Sequence, residues 1–187
     1  MTDLELFNET CAGGYRNTRT KVSWKMVGRR VHFQGSVEPE DWERNFAVLP
    51  IPVRIRGTWC RISLGMELAW REIRRAVLAE DPEEAVGYSG GGPLAALFSA
   101  ETGRPAVAFG CPRFLHKPTL EAVDLFGEVR FIDAPFDIVP QVPPWASRGD
   151  RVYTLDQRHV DKPDWVPWAL WVTGHAADEY RQRMADR

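Results

Sequence analysis

The sequence predicts an α/β fold, a single domain with a mostly parallel central sheet flanked by helices, and three observations point to it. Residues 84–110 read as strand, helix and strand (84–88, 91–102 and 105–110), and a crossover of that kind joins parallel strands. Inside this unit Gly87-Tyr88-Ser89-Gly90-Gly91 satisfies G-x-S-x-G, at the turn between an apolar strand and a helix of small residues. The length, 187 residues, suits one hydrophobic core spanning 1–187.

Taken in order, residues 1–20 are polar and turn-rich, with Gly13-Gly14, Asn17 and Thr18, and are expected to wrap the edge of the domain. Lys21 to Val27 alternates polar and apolar residues, Gly28-Arg29-Arg30 turns, and Val31-His32-Phe33 resumes, the pattern of a hairpin. Pro52 to Arg56 fits a short strand. Leu64, Leu68, Ile73, Val77 and Leu78 form one stripe at near-helical spacing, so 63–79 is expected to be an amphipathic helix stopped by Asp81-Pro82. In the central unit, Pro93 falls in the first turn of its helix, where a missing N–H costs nothing. Thr119 to Phe126 predicts a short helix and Glu128 to Asp133 a strand. Arg151 to Leu155 alternates as a further strand, with an antiparallel edge position open to it. His175 to Arg187 predicts a charged terminal helix, and no internal repeat or low-complexity tract interrupts the chain.

Composition narrows the function classes. Lys and Arg number 24 against 26 Asp and Glu, so no nucleic-acid partner is expected. Cys11, Cys60 and Cys111 are irregularly spaced, with no C-x-x-C and no adjacent histidine, which argues against a disulfide scaffold or a metal site. The acidic start, Met1-Thr2-Asp3-Leu4-Glu5, shows no signal peptide, and no apolar run of about 18 residues predicts a membrane span. The expected location is the cytoplasm, or release without a signal peptide.

The chemistry of G-x-S-x-G explains its spacing. A serine on a strained strand-to-helix turn holds its hydroxyl out toward a substrate. Glycines on either side let strand and helix pass closely, and the helix N-terminus aims N–H groups where an oxyanion would develop.

Four further segments share a pattern. Phe33-Gln34-Gly35-Ser36 is followed by Asp41-Trp42-Glu43-Arg44-Asn45, then the serine turn, then Val107-Ala108-Phe109-Gly110-Cys111-Pro112-Arg113, then Asp137-Ile138-Val139-Pro140-Gln141-Val142-Pro143-Pro144. Together, and in this order over residues 31–144, they resemble the class 3 (fungal-type) lipase family. The resemblance implies an α/β-hydrolase-like domain. The chain departs from the family at Gln34 (usually Arg), Tyr88 (usually His), Gly90 (commonly larger) and Cys111 (usually Ser). Ser63 stands where the family's H-x-G-F has its histidine, and the chain is shorter than typical members.

A serine hydroxyl needs a base, and the base an orienting acid. Ser89 is the nucleophile candidate. Asp137 is the favoured acid, since it follows a strand and matches the family's D-x-V-P position; a turn-capping role is its plain alternative. Asp133 matches instead a family asparagine. His175 is the favoured base because it preserves the order Ser, Asp, His, and His159 is its rival. Tyr180 is similar to a displaced form of the aromatic residue near the family's histidine. His32 comes too early in the chain, and His116 reads as a solvated loop residue. Gly90, next to the nucleophile, supplies one oxyanion N–H. The resemblance gives Ser36 as the second donor, and Ser36 is equally placed to cap the segment after it.

The resemblance also places a lid at Val37 to Phe46, where Trp42 and Phe46 would share a helix face. That segment is short and charged, which favours a fixed helix and a small ester substrate. Trp145, Trp165, Trp168 and Trp171 crowd the last quarter, either packing a proline-rich loop or lining a substrate groove or lipid-facing patch. The leading expectation is a serine hydrolase of carboxylic esters on a small-molecule or lipid substrate. It requires no metal or organic cofactor, and its lipid-surface contact would be transient. The alternative is a lipase-fold binding or structural module without catalysis.

Overall fold

The computed structural model describes residues 1–18, 22–34, 49–135, 137–149, 151–155 and 177–185. Its central strands feed two cores by the period-two alternation of a β-strand. Ala85, Ala106, Ala108 and Phe131 face one apolar cluster, while Val86, Val107, Phe109 and Ile132 face the other. Strands buried on both faces read as unbroken apolar runs, which is why Ala106-Val107-Ala108-Phe109 has no polar member.

The main sheet has seven strands: β1 (Arg16–Asn17), β2 (Ser23–Val27), β3 (Arg30–Phe33), β6 (Glu84–Tyr88), β7 (Ala106–Phe109), β9 (Val129–Asp133) and β11 (Val152–Thr154). In space they run β1-β2-β3-β6-β7-β9-β11. The strands from β3 to β11 are parallel to one another, and β1 and β2 add an antiparallel margin. A second, antiparallel sheet has the order β10-β8-β5-β4, formed by Ala146–Ser147, Leu115–His116, Thr58–Ser63 and Pro50–Ile55 respectively.

Helices cover both faces. α2 (Leu64–Ala79) and α3 (Gly92–Thr102) lie on one side, where Ile73, Val77, Leu94 and Phe98 join the larger core. α3 is buried from Gly92 through Ala100, so its small residues serve close packing rather than an amphipathic pattern. α1 (Asp3–Cys11) and α5 (Ala177–Ala185) cover the opposite face through Leu6, Phe7, Tyr180 and Met184. The short α4 (Leu120–Asp124) begins on a Thr119 cap.

Two expectations are corrected here, and a third is met and extended. Residues 3–11 form a helix docked on the sheet, not an edge wrap. Its start was written in Thr2-x-x-Glu5: the Glu5 N–H donates to Thr2 Oγ1 at 3.2 Å, and the Thr2 N–H donates to Glu5 Oε2 at 2.7 Å. The strand at 152–154 pairs parallel to β9, because the stretch after Asp133 is long enough for a crossover. Finally, the strand near 52–56 is half of a hairpin with β5. Arg56 (φ 46°) and Gly57 (φ 91°) make its two-residue turn, and both take the positive φ such turns require.

Candidate active site

β6 is the fourth of seven strands in space, and Ser89 stands immediately beyond its C-terminal end. A short 3-10 turn over Ser89–Gly91 leads into α3. Ser89 has φ 55°, a left-handed conformation that costs a non-glycine residue roughly 1–3 kcal/mol. Its neighbours explain how the chain holds that shape. A Cβ on Gly87 would stand 2.5 Å from the Gly91 carbonyl carbon. A Cβ on Gly91 would stand 2.6 Å from the Phe33 carbonyl carbon, and one on Gly92 would stand 2.7 Å from Cys111 Cβ. Strand, turn and β3 therefore interlock through backbone, and no side chain larger than hydrogen fits at these three positions. Gly90 is the next residue on the turn.

Asp137 lies at the same edge of the sheet. Tyr88, Phe109 and Ile132 are register partners across β6, β7 and β9, so Ser89 and the end of β9 are two strand spacings apart, about 10 Å. Asp137 is buried, and both of its oxygens accept bonds. Oδ1 accepts from the Val139 N–H at 2.9 Å, and Oδ2 accepts from the Tyr180 hydroxyl at 2.7 Å. The turn-capping bond and the burial thus coexist in one residue. Tyr180 also accepts from the Ala134 N–H at 3.0 Å, which ties α5 to the loop leaving β9. Burial, and then the Asp137 charge, push its phenol well above the ordinary range, so it stays a neutral donor.

Tyr88, a departure from the family pattern, packs its ring among other aromatic side chains. Its ring meets Phe7 edge-on at 5.1 Å and Tyr180 at 5.8 Å, and burial raises its phenol too. Phe7 in turn stacks on Tyr180 at 5.4 Å, so α1, β6 and α5 share one aromatic cluster beneath Ser89 and Asp137.

Two arginines brace the loops around the site, and sequence reasoning singled out neither role. Arg148 forms a buried ion pair with Asp133 through both guanidinium ends, and its Nη1 also donates to the Cys111 carbonyl at 3.0 Å. Asp133 therefore anchors the Gly110-Cys111-Pro112 loop, and burial raises its carboxyl above the ordinary value against the pull of Arg148. Arg113 donates to Gln141 Oε1 at 2.8 Å and to the Pro140 and Pro144 carbonyls at 3.2 and 3.3 Å. It clamps the segment that carries Asp137. The arginine of F-G-C-P-R and the prolines of D-x-V-P-x-x-P-P were the visible signal for this contact; only their meeting was not.

The remaining candidates separate. His116 is buried on β8, with Nε2 3.0 Å from Ser63 Oγ, so it is no solvated loop residue; burial lowers its pKa. His32 is buried under α1. Thr10 Oγ1 donates to the Leu6 carbonyl at 2.8 Å, so it accepts from His32 Nδ1 at 2.9 Å, which assigns the proton to Nδ1. Ser36, His159 and His175 lie outside the described residues, as do the 37–46 segment, Trp165, Trp168 and Trp171. Trp145 is exposed. Among the described residues no group of three or more His, Cys, Asp and Glu side chains gathers as metal ligands, and no helix is long and apolar enough to cross a membrane.

Strand order and the strand–turn–helix at Ser89 describe an α/β-hydrolase-like fold, and the solved structures similar to this chain agree. The Rhizomucor miehei triacylglyceride lipase superposes with a TM-score of 0.55 at 16% identity, covering 76% of this chain and 65% of that one. Lip2 lipase from Yarrowia lipolytica gives 0.54 at 18% identity, covering 78% and 65%. Lipase II from Rhizopus niveus gives 0.54 at 15%, covering 70% and 60%. The chain has the fold of the fungal class 3 lipases. It spans between half and two thirds of the length of these lipases, 51% in the Rhizomucor propeptide complex. No protein-family model matches the chain, and no curated protein matches it.

Proposed function

We propose that this chain is a serine hydrolase of carboxylic esters, with Ser89 as the nucleophile. The observation that supports it most is Ser89 itself, held at φ 55° on the turn between the central strand and a helix by glycines that pack backbone on backbone. A chain needing only a connection there would have no use for that strain. Asp137, at the same sheet edge and bonded on both oxygens, is the acid. The space of about 10 Å between the Ser89 position and the end of β9 is a span that one imidazole with its hydrogen bonds bridges.

His175 is that imidazole in our reading, with His159 as its rival. The base takes the Ser89 proton as Oγ attacks the ester carbonyl, the carbonyl oxygen becomes an oxyanion held by the Gly90 N–H and by Ser36, and the protonated base gives its proton to the leaving alcohol. Water, activated by the same base, then releases the acid from Ser89. No cofactor takes part. The substrate is a small-molecule or lipid ester, and the charged 37–46 segment favours a small one. Lipids would be met only transiently at their surface.

The test is hydrolysis of p-nitrophenyl esters of increasing acyl length, beside matched anilides. Ser89→Ala and His175→Ala are each expected to lower kcat by at least about 10³-fold, with KM little changed. Loss in His159→Ala instead of His175→Ala would move the base. Equal turnover of parent and Ser89→Ala would remove the proposal.

A further inference from the structure

A second cleft lies at the other end of α3. It encloses about 540 Å³ between the β4–β5 hairpin, α2 and the C-terminal turn of α3, within the range of small-ligand sites. Gly92 to Thr102 separates the serine turn from this end, and 11 helical residues span about 16 Å. The cleft therefore does not belong to the Ser89 site.

Its charges do not balance. Arg54, Arg56, Arg71 and Arg74 line it, against Glu67 and Glu101. Both acids are already occupied: Glu101 by Arg74 through two nitrogens and by the Trp70 indole N–H at 3.0 Å, and Glu67 by Arg71. Arg54 and Arg56 have no carboxylate partner among the described residues. Arg54 Nε is committed to the Gly57 carbonyl at 3.1 Å, which orients the guanidinium and leaves both terminal nitrogens as donors. Arg56 Nη1 lies 3.2 Å from where a Gly103 Cβ would stand, so the absence of that side chain makes room for it. Trp59, directly opposite Arg54 in the hairpin, is 63% exposed at the lip of the cleft, and Trp70 and Leu97 form apolar wall.

We propose that this cleft binds a small amphipathic anion, with a phosphate or carboxylate head on Arg54 and Arg56 and a flat apolar body against Trp59. Arginine suits such a head because its fork presents two parallel donors, and an aromatic face gains both from stacking and from the neighbouring cation. The neutralised acids present no unpaired charge to repel the anion.

The probe is phenyl phosphate, titrated into the ¹⁵N-labelled full chain carrying Ser89→Ala, so that the result is independent of any hydrolysis. Saturable shifts in the β4–β5 amides and the indole N–H signals are expected, with the dissociation constant rising about tenfold or more in Arg54→Gln and in Arg56→Gln. Arg29→Gln, paired with Glu83 and outside the cleft lining, is expected to leave it unchanged. Each variant is first shown to melt with the parent. Inorganic phosphate is expected to bind more weakly, since it lacks the apolar body. Co-sedimentation with phosphatidic acid vesicles that phenyl phosphate displaces would assign the head to a lipid; its absence alongside saturable shifts would assign it to a soluble anion. No saturable shift up to about 10 mM overturns the proposal. So do inorganic phosphate binding as tightly as phenyl phosphate, or parental affinity in both arginine variants.

Discussion

Replacing Gly87 with alanine tests the packing that holds Ser89 in place. The new Cβ would stand 2.5 Å from the Gly91 carbonyl carbon and 2.8 Å from the Gly92 nitrogen, where ordinary contact begins near 3.4 Å. Strand and turn must separate by close to an ångström. Neither can yield alone, because Gly91 is itself seated against the Phe33 backbone of β3. Overpacking of this kind costs about 3 kcal/mol, toward the upper end because backbone rather than side chain is displaced. At roughly 2–4 °C per kcal/mol for a chain of this size, Tm falls by about 6–12 °C. An ångström of error in the nucleophile's position also lowers reactivity, on the order of a hundredfold. Thermal unfolding followed by circular dichroism reads the first effect, and the rate of fluorophosphonate labelling reads the second. Gly13→Ala is the control, since nothing lies within 4 Å of a Cβ there. A Gly87→Ala protein that melts within about 2 °C of the parent and labels at the parental rate would refute the interlocked-turn argument.

Three other perturbations have defined outcomes. Tyr180→Phe leaves the buried Ala134 N–H without its acceptor and takes a donor from Asp137, so urea denaturation should show a loss of about 1–3 kcal/mol; an unchanged midpoint would deny the bridge any energetic role. Arg148→Met strands the Asp133 carboxylate in the interior and should cost about 3–5 kcal/mol, part of which Asp133→Asn in the same chain restores. Acid should weaken the docking of α1. Burial, helped by Lys25 and Arg30, depresses His32 from 6.5 to about 4, while Glu9 Oε2 at 3.5 Å from Nε2 pulls the other way. Between those values the unfolded chain holds the extra proton, so stability falls as pH drops through the window, by up to about 3 kcal/mol. His32→Gln should flatten that part of a stability-against-pH curve; an unaltered slope would assign the loss to other groups.

The serine turn was legible because its demands are local. A nucleophile at positive φ needs glycine beside it, and Gly87, Gly91 and Gly92 stand in the sequence where the backbone contacts require them. The β6–α3–β7 unit was equally legible, since continuous apolar runs and a small-residue helix leave few other arrangements. What escaped reading depends on meetings between distant residues. Nothing local in Arg148 announces that it will pair with Asp133 and hold the Cys111 loop. Nothing near Tyr180 announces that its hydroxyl will reach Asp137, although its aromatic character and late position are plain in the sequence. His116 reads as solvated because it follows the Pro112-Arg113 loop, whereas β8 pairs with both β5 and β10 and buries it. The first helix is the exception, since Thr2-x-x-Glu5 is a local helix-start signal that the glycines behind it obscure.

The central claim is that Ser89 is an activated nucleophile. Intact-mass analysis after treatment with a fluorophosphonate probe tests it without any guess at the substrate, because such probes react with a serine only where a base and an oxyanion site activate it. The account predicts one adduct, mapped to Ser89, absent in Ser89→Ala and lost when the base is replaced. A folded protein that forms no adduct, or forms one on another residue, would contradict it and leave a lipase fold serving as a binding module.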